Sequence, residues 1–431
     1  MINRDYQDRK DKLLNNIKDN SVVVIFSADE KFRNNDVAYK YRQSSNFFYL
    51  SGIDDPSLVL ILTKKNNISS STLICNKPND KDKIWTGQLT SKKSYKKQYL
   101  LDSVLYTDQL KKLDFSDIDN LYFEFGDRIK LEKFLSTMNK VEFSRYTKKN
   151  NYLSSRIDLS NLIFDMRRIK SNYEISQITN AANVSTLAHL NLMKTCKPGM
   201  NEREIEADFT NICMSNYCEQ AYPAIVAAGK NGCTLHYTKN NSILKKTDLL
   251  LVDAAAEYNN YASDITRTIP ISGKFNKYQK IIYKIVLIAQ TMAIKSCKPG
   301  KTLVDIHDVA VKYITKGLVE AKILKGSVDK NIKNEEYKNY YMHNTGHWLG
   351  LDVHDPCSYV AKDKPIKLKP GMIFTVEPGI YINTNSKIDK NFHNIAVRIE
   401  DDVLITSTGN KVLTEGVPKE VSEIEKLMLH G

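Results

Sequence analysis

Four acidic residues and a cluster of histidines stand where the surrounding sequence suits neither. Asp253 closes the apolar run LLLV, and Asp264 follows in YASDITRT. Glu377 interrupts MIFTVEPGIYI and Glu400 interrupts AVRIEDDVLIT, both among β-branched residues that read as buried strand. A carboxylate buried without a partner is costly, and glutamate is depleted in strands. Pairing with Arg398, Arg267 or a lysine would explain one such glutamate but is strained for two. Among eight histidines, His343, His347 and His354 lie together in YMHNTGHWLGLDVHD. His343 and His347 are four apart, yet Asn-Thr-Gly separates them and Gly346 opposes a helix, so the helical zinc pair HExxH does not apply.

Four carboxylates with one imidazole carry too many charges and oxygens for a single structural zinc. The set suits paired Mn²⁺, Fe²⁺, Co²⁺ or Zn²⁺. In two-metal sites the ions stand about 3.5–4 Å apart and are joined by carboxylates that use both oxygens. The chemistry expected is hydrolysis at a dinuclear centre.

Such residues need elements to bring them together. Tyr258-Asn259-Asn260-Tyr261 reads as a turn between two strands, a hairpin that carries Asp253 and Asp264 to one place. A long helix is predicted over NYEISQITNAANVSTLAHLNLMK; it stops at CKPG through Pro198 and Gly199, and the helix NEREIEADFTNICMSNY follows. The device returns later, with YQKIIYKIVLIAQTMAIKSCKPG ending at Gly300 and then TLVDIHDVAVKYITKGLVE. Each helix pair precedes a pair of strands bearing acids. An internal duplication is therefore expected, giving a pseudo-twofold domain with a site between its halves.

The first third differs. A charged amphipathic segment from Asp5 to Ile17 leads into strand-like SVVVIFSA, SLVLILTK, STLICN, NLYFEF and KVEFSRY, with a helical RIKLEKFLSTM before the last. This predicts a mixed sheet with helices. A chain of 431 residues exceeds one ordinary core, so the α+β reading is a smaller α/β domain over residues 1–166 and a larger duplicated domain over 167–431.

The net charge of +13 raises the question of nucleic acid. The lysines are spread along the chain, with no basic block flanked by aromatics, so a lysine-rich composition accounts for them and no nucleic-acid partner is expected. The opening MINRDYQDRKDKLL has no apolar h-region, and the apolar runs are strand-sized, so a soluble cytoplasmic protein without a membrane partner is expected. The seven cysteines are scattered, with no CxxC pair, and read as reduced thiols.

In this order, the motifs resemble the pita-bread metallopeptidases: methionine aminopeptidase, prolidase and aminopeptidase P. GKNGCTLHYT, VDAAAEYNNYASDITRT, HWLGLDVHD, TVEPGIYI and AVRIEDDVLIT carry the likeness, which covers nearly the whole chain and is closest to the bacterial-type Xaa-Pro aminopeptidases. YKYRQSSNFFYLSG resembles a signature shared by prolidase and aminopeptidase P and absent from methionine aminopeptidase. The resemblance implies a C-terminal pita-bread domain, and an exopeptidase that hydrolyses the N-terminal Xaa-Pro bond through a metal-bridged hydroxide. It implies metal ligation by Asp253, Asp264, His347, Glu377 and Glu400, with Asp264 and Glu400 bridging two divalent ions, Mn²⁺ first and Zn²⁺, Co²⁺ or Fe²⁺ as alternatives. His236, His343, His354, Glu377 and Arg398 are implied as catalytic residues, and Tyr381 joins the histidines in lining a pocket for proline. The implied partners are peptides with proline in second position and further copies of the chain, in a homodimer or homotetramer. Asn344, where the family usually has glycine, and Ala227-Ala228, where glycine or serine is commoner, depart from the pattern. Prolidase shares every ligand and is the nearest rival; non-catalytic pita-bread modules lose ligands that are all present here.

Overall fold

The computed structural model describes residues 2–138 and 155–430 apart from 86, 88, 89, 114, 116, 117 and 385. The chain divides into two compact units, Met1–Arg167 and Arg168–Gly431.

In the first unit the run Ser21–Phe26 is buried at every position, as a central strand must be. It belongs to a six-stranded sheet in the order Ser103–Tyr106, Ile68–Cys75, Val59–Lys65, Ser21–Phe26, Asn120–Phe123, Ser155–Asp158. Val59–Lys65 pairs with it antiparallel and Asn120–Phe123 parallel, so the sheet is mixed. Val22, Val24 and Phe26 share one face and pack with Leu121, Phe123, Leu131 and Phe134, the last two from the helix Arg128–Met138. The strand expected at KVEFSRY lies outside the described residues. The signature around Gln43 is structural: its side chain accepts from the Ala28 and Ser44 N–H groups and donates to the carbonyls of Ile53 and Asp55. The following helix Ser45–Ser51 is buried along its whole length.

The second unit contains the predicted helix pairs, Asn172–Thr195 with Glu202–Ser215 and Lys277–Ser296 with Leu303–Glu320. Each helix starts on a capping box, formed by Ser171 and Glu174, Asn201 and Glu204, Asn276 and Gln279, and Thr302 and Asp305. The duplication extends to single backbone bonds. After the first CKPG, Gly199 N–H donates to Leu244 O and Leu244 N–H to Met200 O; after the second, Gly300 N–H donates to Leu368 O and Leu368 N–H to Lys301 O. Both glycines are left-handed, with φ of +93° and +87°, the conformation that favours glycine beyond a helix end. Each leucine then leads into a strand, Leu249–Asp253 or Ile373–Val376, which places Asp253 and Glu377 at equivalent points of the two halves.

Leu249–Asp253 lies between Ile225–Ala228 and Thr266–Pro270, antiparallel to both. Ile373–Val376 pairs antiparallel with Asp401–Ile405, and Gly379–Ile382 with Ile395–Arg398. The helices cover these sheets in one apolar core that includes Ile282, Val286 and Ala289 with Leu250, Val252, Phe374 and Val403; each fully buried large aliphatic or aromatic side chain there contributes about 1.5–3 kcal/mol.

Three local expectations change. MIFTVEPGIYI is two strands in different sheets, broken at Glu377-Pro378, and AVRIEDDVLIT is likewise broken at Ile399-Glu400. Asp264 stands between Tyr261–Ala262 and Thr266–Pro270, not within a strand. Pro378 has no N–H to continue a ladder. At all three places the chain leaves regular pairing, so the acids need not alternate with the core face.

Candidate metal centre

The turn between the first two acids is the two-residue hairpin the asparagines predict. Tyr258 pairs with Tyr261, and Asn259 and Asn260 have φ of +49° and +66°, the left-handed pair that such a turn requires. Beyond it, the Ala254 N–H donates to Ile265 O. The backbone N–H of Asp264 and the Ser263 hydroxyl both donate to the buried Asp402 carboxylate, which fixes Asp264 from behind.

The histidine segment is extended and runs beside the strand that precedes Glu377. Thr375 N–H donates to His347 O, and Glu377 N–H to Thr345 O; His347 N–H donates to Thr375 Oγ1. The approach is so close that a Cβ on Gly346 would stand 1.9 Å from Thr375 O. Gly346 is required for this contact, a stronger reason than its poor helix propensity.

All nine predicted site residues line one cavity of about 420 Å³: His236, Asp253, Asp264, His343, His347, His354, Glu377, Arg398 and Glu400. His347 Nδ1 lies 3.1 Å from Trp348 O and so carries the hydrogen, which leaves Nε2 facing Asp264 Oδ2 at 3.4 Å and Glu377 Oε1 at 3.5 Å. One ligand atom each from Asp264, His347 and Glu400 falls within 4.8 Å of the others. Arg398 is the cation that binds the acids: Nη2 is 2.6 Å from Asp253 Oδ2, and Nε donates to Thr266 Oγ1, whose hydroxyl donates to Glu400 Oε2. The third guanidinium contact is to the Tyr381 hydroxyl at 2.9 Å, which lies 2.8 Å from His343 Nε2. His343 Nδ1 donates to Asn344 O, so Nε2 accepts from Tyr381 and the ring is neutral. Tyr381, expected to line the pocket, stands behind His343, buried at 3% exposure.

Four carboxylates around one guanidinium leave negative charge in surplus. Burial, with neighbouring acids, raises the Asp253 and Glu400 carboxyls above the ordinary range and Glu377 to about 7. Burial pulls the His347 imidazole down, but Asp264 and Glu377 reverse this and hold it at about 9. A positive charge is drawn to the point between the carboxylates. A divalent cation placed there meets oxygen donors and one imidazole Nε2, the donor set expected of Mn²⁺-type or Zn²⁺-type ions. The residues fit such ions.

Sequence reading missed the groups behind the acids. The Tyr222 hydroxyl lies 2.7 Å from Asp253 Oδ1 and 2.5 Å from Asp264 Oδ1, and nothing around Tyr222-Pro223 in the sequence signals it. Thr266 and Asp402 sit inside motifs already singled out, two residues beyond Asp264 and Glu400. Of the departures, Asn344 is on the cavity wall, while Ala227 and Ala228 are buried in a strand opposite Leu251 and Leu250.

Residues 176–407 match the profile of metallopeptidase family M24. The chain belongs to that family. Residues 6–118 match the N-terminal domain of aminopeptidase P. The chain is 36% identical to Xaa-Pro aminopeptidase of Haemophilus influenzae over 98% of its own length and 97% of the relative's. Among solved structures, aminopeptidase PepP of Pseudomonas aeruginosa superposes with a TM-score of 0.95 at 37% identity, covering 99% of this chain and 98% of that one. Zn-substituted aminopeptidase P of Escherichia coli in complex with product gives 0.94 at 34%, with 99% and 98% covered. The fold is thus the pita-bread domain of this metallopeptidase family behind an aminopeptidase P-type N-terminal domain. All seven cysteines are free thiols, and among the described residues no helix is long and apolar enough to cross a membrane.

Proposed function

We propose that the chain is a metal-dependent exopeptidase that hydrolyses the bond between the first residue of a peptide and a proline in second position. The observation that carries this is the convergence of Asp253, Asp264, Glu377, Glu400 and His347 Nε2 on one cavity that sets four carboxylates against a single arginine, Arg398. Relatives matched from end to end and named Xaa-Pro aminopeptidases support the substrate. In this reading the five residues would hold two divalent cations, Mn²⁺ first, with Zn²⁺, Co²⁺ or Fe²⁺ as alternatives, and Asp264 and Glu400 would be the carboxylates available to both.

When bound, the cations supply Lewis acidity, lowering the pKa of water and polarising the scissile carbonyl. The protein does the rest. Glu377 accepts the proton of the attacking water and passes it to the prolyl nitrogen, a leaving group that needs protonation. His236 and His354 face the cavity and donate to the developing oxyanion, a contact of the kind worth about 3–4 kcal/mol. His343, kept neutral between Asn344 and Tyr381, shapes the pocket beside the acids. Arg398 holds Asp253 in place. Residues 167–431 are the catalytic domain, residues 1–166 the N-terminal domain, and the protein works as a homodimer or homotetramer in the cytoplasm.

The test compares Xaa-Pro-Yaa tripeptides with Xaa-Pro dipeptides in Mn²⁺, with and without chelator, alongside metal content. Tripeptide cleavage that chelator abolishes is expected. Cleavage of the dipeptide alone would make the protein a prolidase, and absence of both metal and hydrolysis would make it a binding module.

A further inference from the structure

The segment from His343 to His347 carries two of the proposed functional histidines, yet neither of its ends lies in a regular element. Its middle residue, Thr345, is 2% exposed. Two side chains from outside the segment meet on its hydroxyl. His307 Nδ1 is 2.9 Å from Thr345 Oγ1, and the Tyr341 hydroxyl is 2.6 Å from it. His307 comes from the helix Leu303–Glu320; Tyr341, 1% exposed, follows the short turn Glu336–Asn339. The Tyr341 ring also packs edge-on against His343, with centroids 5.1 Å apart.

A threonine hydroxyl has one hydrogen and two lone pairs, so it can serve both partners at once, donating to at most one of them. Satisfying both leaves one setting of χ1, and χ1 of a β-branched residue is already restricted. The Thr345 main chain is held at the same time, because its carbonyl accepts the Glu377 N–H at 2.8 Å. The segment is therefore pinned at its centre, on one side by the strand leading to Glu377 and on the other by His307 and Tyr341. Packing alone does not call for this, since valine has the shape of threonine and would fill the same space.

We infer that His307, Tyr341 and Thr345 are positioning residues for the hydrolysis: through one shared hydroxyl they hold His343 and His347 at the angles at which both face the cavity. None of the three touches the reacting atoms. The inference rests on the functional reading above, which gives His343 and His347 their roles.

The decisive comparison is Thr345→Val against Thr345→Ser, with kcat and KM measured on an Xaa-Pro-Yaa tripeptide in Mn²⁺. Thr345→Val, isosteric but without the hydroxyl, lowers kcat about tenfold and moves KM much less, the pattern of reacting groups that are bound but slightly misplaced. Thr345→Ser recovers kcat to within about twofold. His307 is half-buried, so its variants test the clamp from the other side and stand in should Thr345→Val fail to fold. His307→Ala lowers kcat, and His307→Asn, whose amide can reach the position of Nδ1, restores most of it. Wild-type kcat in Thr345→Val, or equal impairment of the Val and Ser variants, overturns the inference; so does equal impairment of His307→Ala and His307→Asn. An unsubstituted chain without hydrolysis in Mn²⁺ instead overturns the functional reading, and the inference falls with it.

Discussion

Replacing Gly346 by alanine tests the geometry of the centre most sharply, because the collision is with backbone and not with a movable side chain. The new Cβ would stand 1.9 Å from Thr375 O and 2.9 Å from Thr375 C. A carbon–oxygen contact settles at about 3.3 Å, so the two segments must separate by about 1.4 Å. Three hydrogen bonds flank that contact directly: Thr375 N–H to His347 O, Glu377 N–H to Thr345 O, and His347 N–H to Thr375 Oγ1. Each contributes about 1 kcal/mol net, so stability falls by about 3 kcal/mol and the Tm, at about 2–4 °C per kcal/mol for a domain of this size, by about 6–12 °C. The gap also separates His347 from Glu377, and a displacement of about 1 Å costs about a hundredfold in rate. Calorimetry, kcat/KM on a tripeptide and bound metal per chain read the three effects. A Gly346→Ala protein with an unchanged Tm and kcat/KM would refute the close approach, and with it the account of how His347 and Glu377 are placed together.

Removing either carboxylate proposed to join the two ions, by Asp264→Ala or Glu400→Ala, abolishes turnover and lowers metal content below two per chain; retained turnover with two ions would refute the bridging role. Tyr222→Phe deletes the hydroxyl between Asp253 and Asp264 and weakens metal binding about tenfold, as loss of a hydrogen bond behind a ligand does; competition with a coloured chelator measures it. His189, fully buried and bonded through Nε2 to Ala254 O, governs part of the acid response. Burial holds its imidazole down at about 3 against an ordinary 6.5. The unfolded chain therefore binds the proton first, and this stability is complete above pH 6.5 and is lost progressively as pH falls toward 3. Between pH 6.5 and 4.5 the unsubstituted chain loses about 2–3 kcal/mol more than His189→Gln, which urea unfolding in chelator can follow; equal losses would refute the account.

Much of this was legible in the residue order, because the signals are local. A capping box spans four residues, an Asn-Asn turn two, and a helix stop one glycine, so the helix pairs, the hairpin and the duplication could be read before any contact was known. The acids announced themselves by being out of place in apolar runs. Family resemblance, carried by motifs of about ten residues, then singled out His347 among the clustered histidines. What lay beyond reach was set by contacts between residues far apart in the chain. Arg398 meets Asp253 across 145 positions and Thr266 across 132; Thr345 meets His307 across 38. No periodicity records such distances. The breaks at Glu377 and Glu400 were hidden for the same reason, since β-branched neighbours predict strand whichever sheet they join, and only the packed sheets decide where pairing stops. Gly346 shows the division most plainly. Its sequence context said that the segment is not a helix, and only the tertiary structure, by laying Thr375 O against it, made the absence of a side chain a requirement.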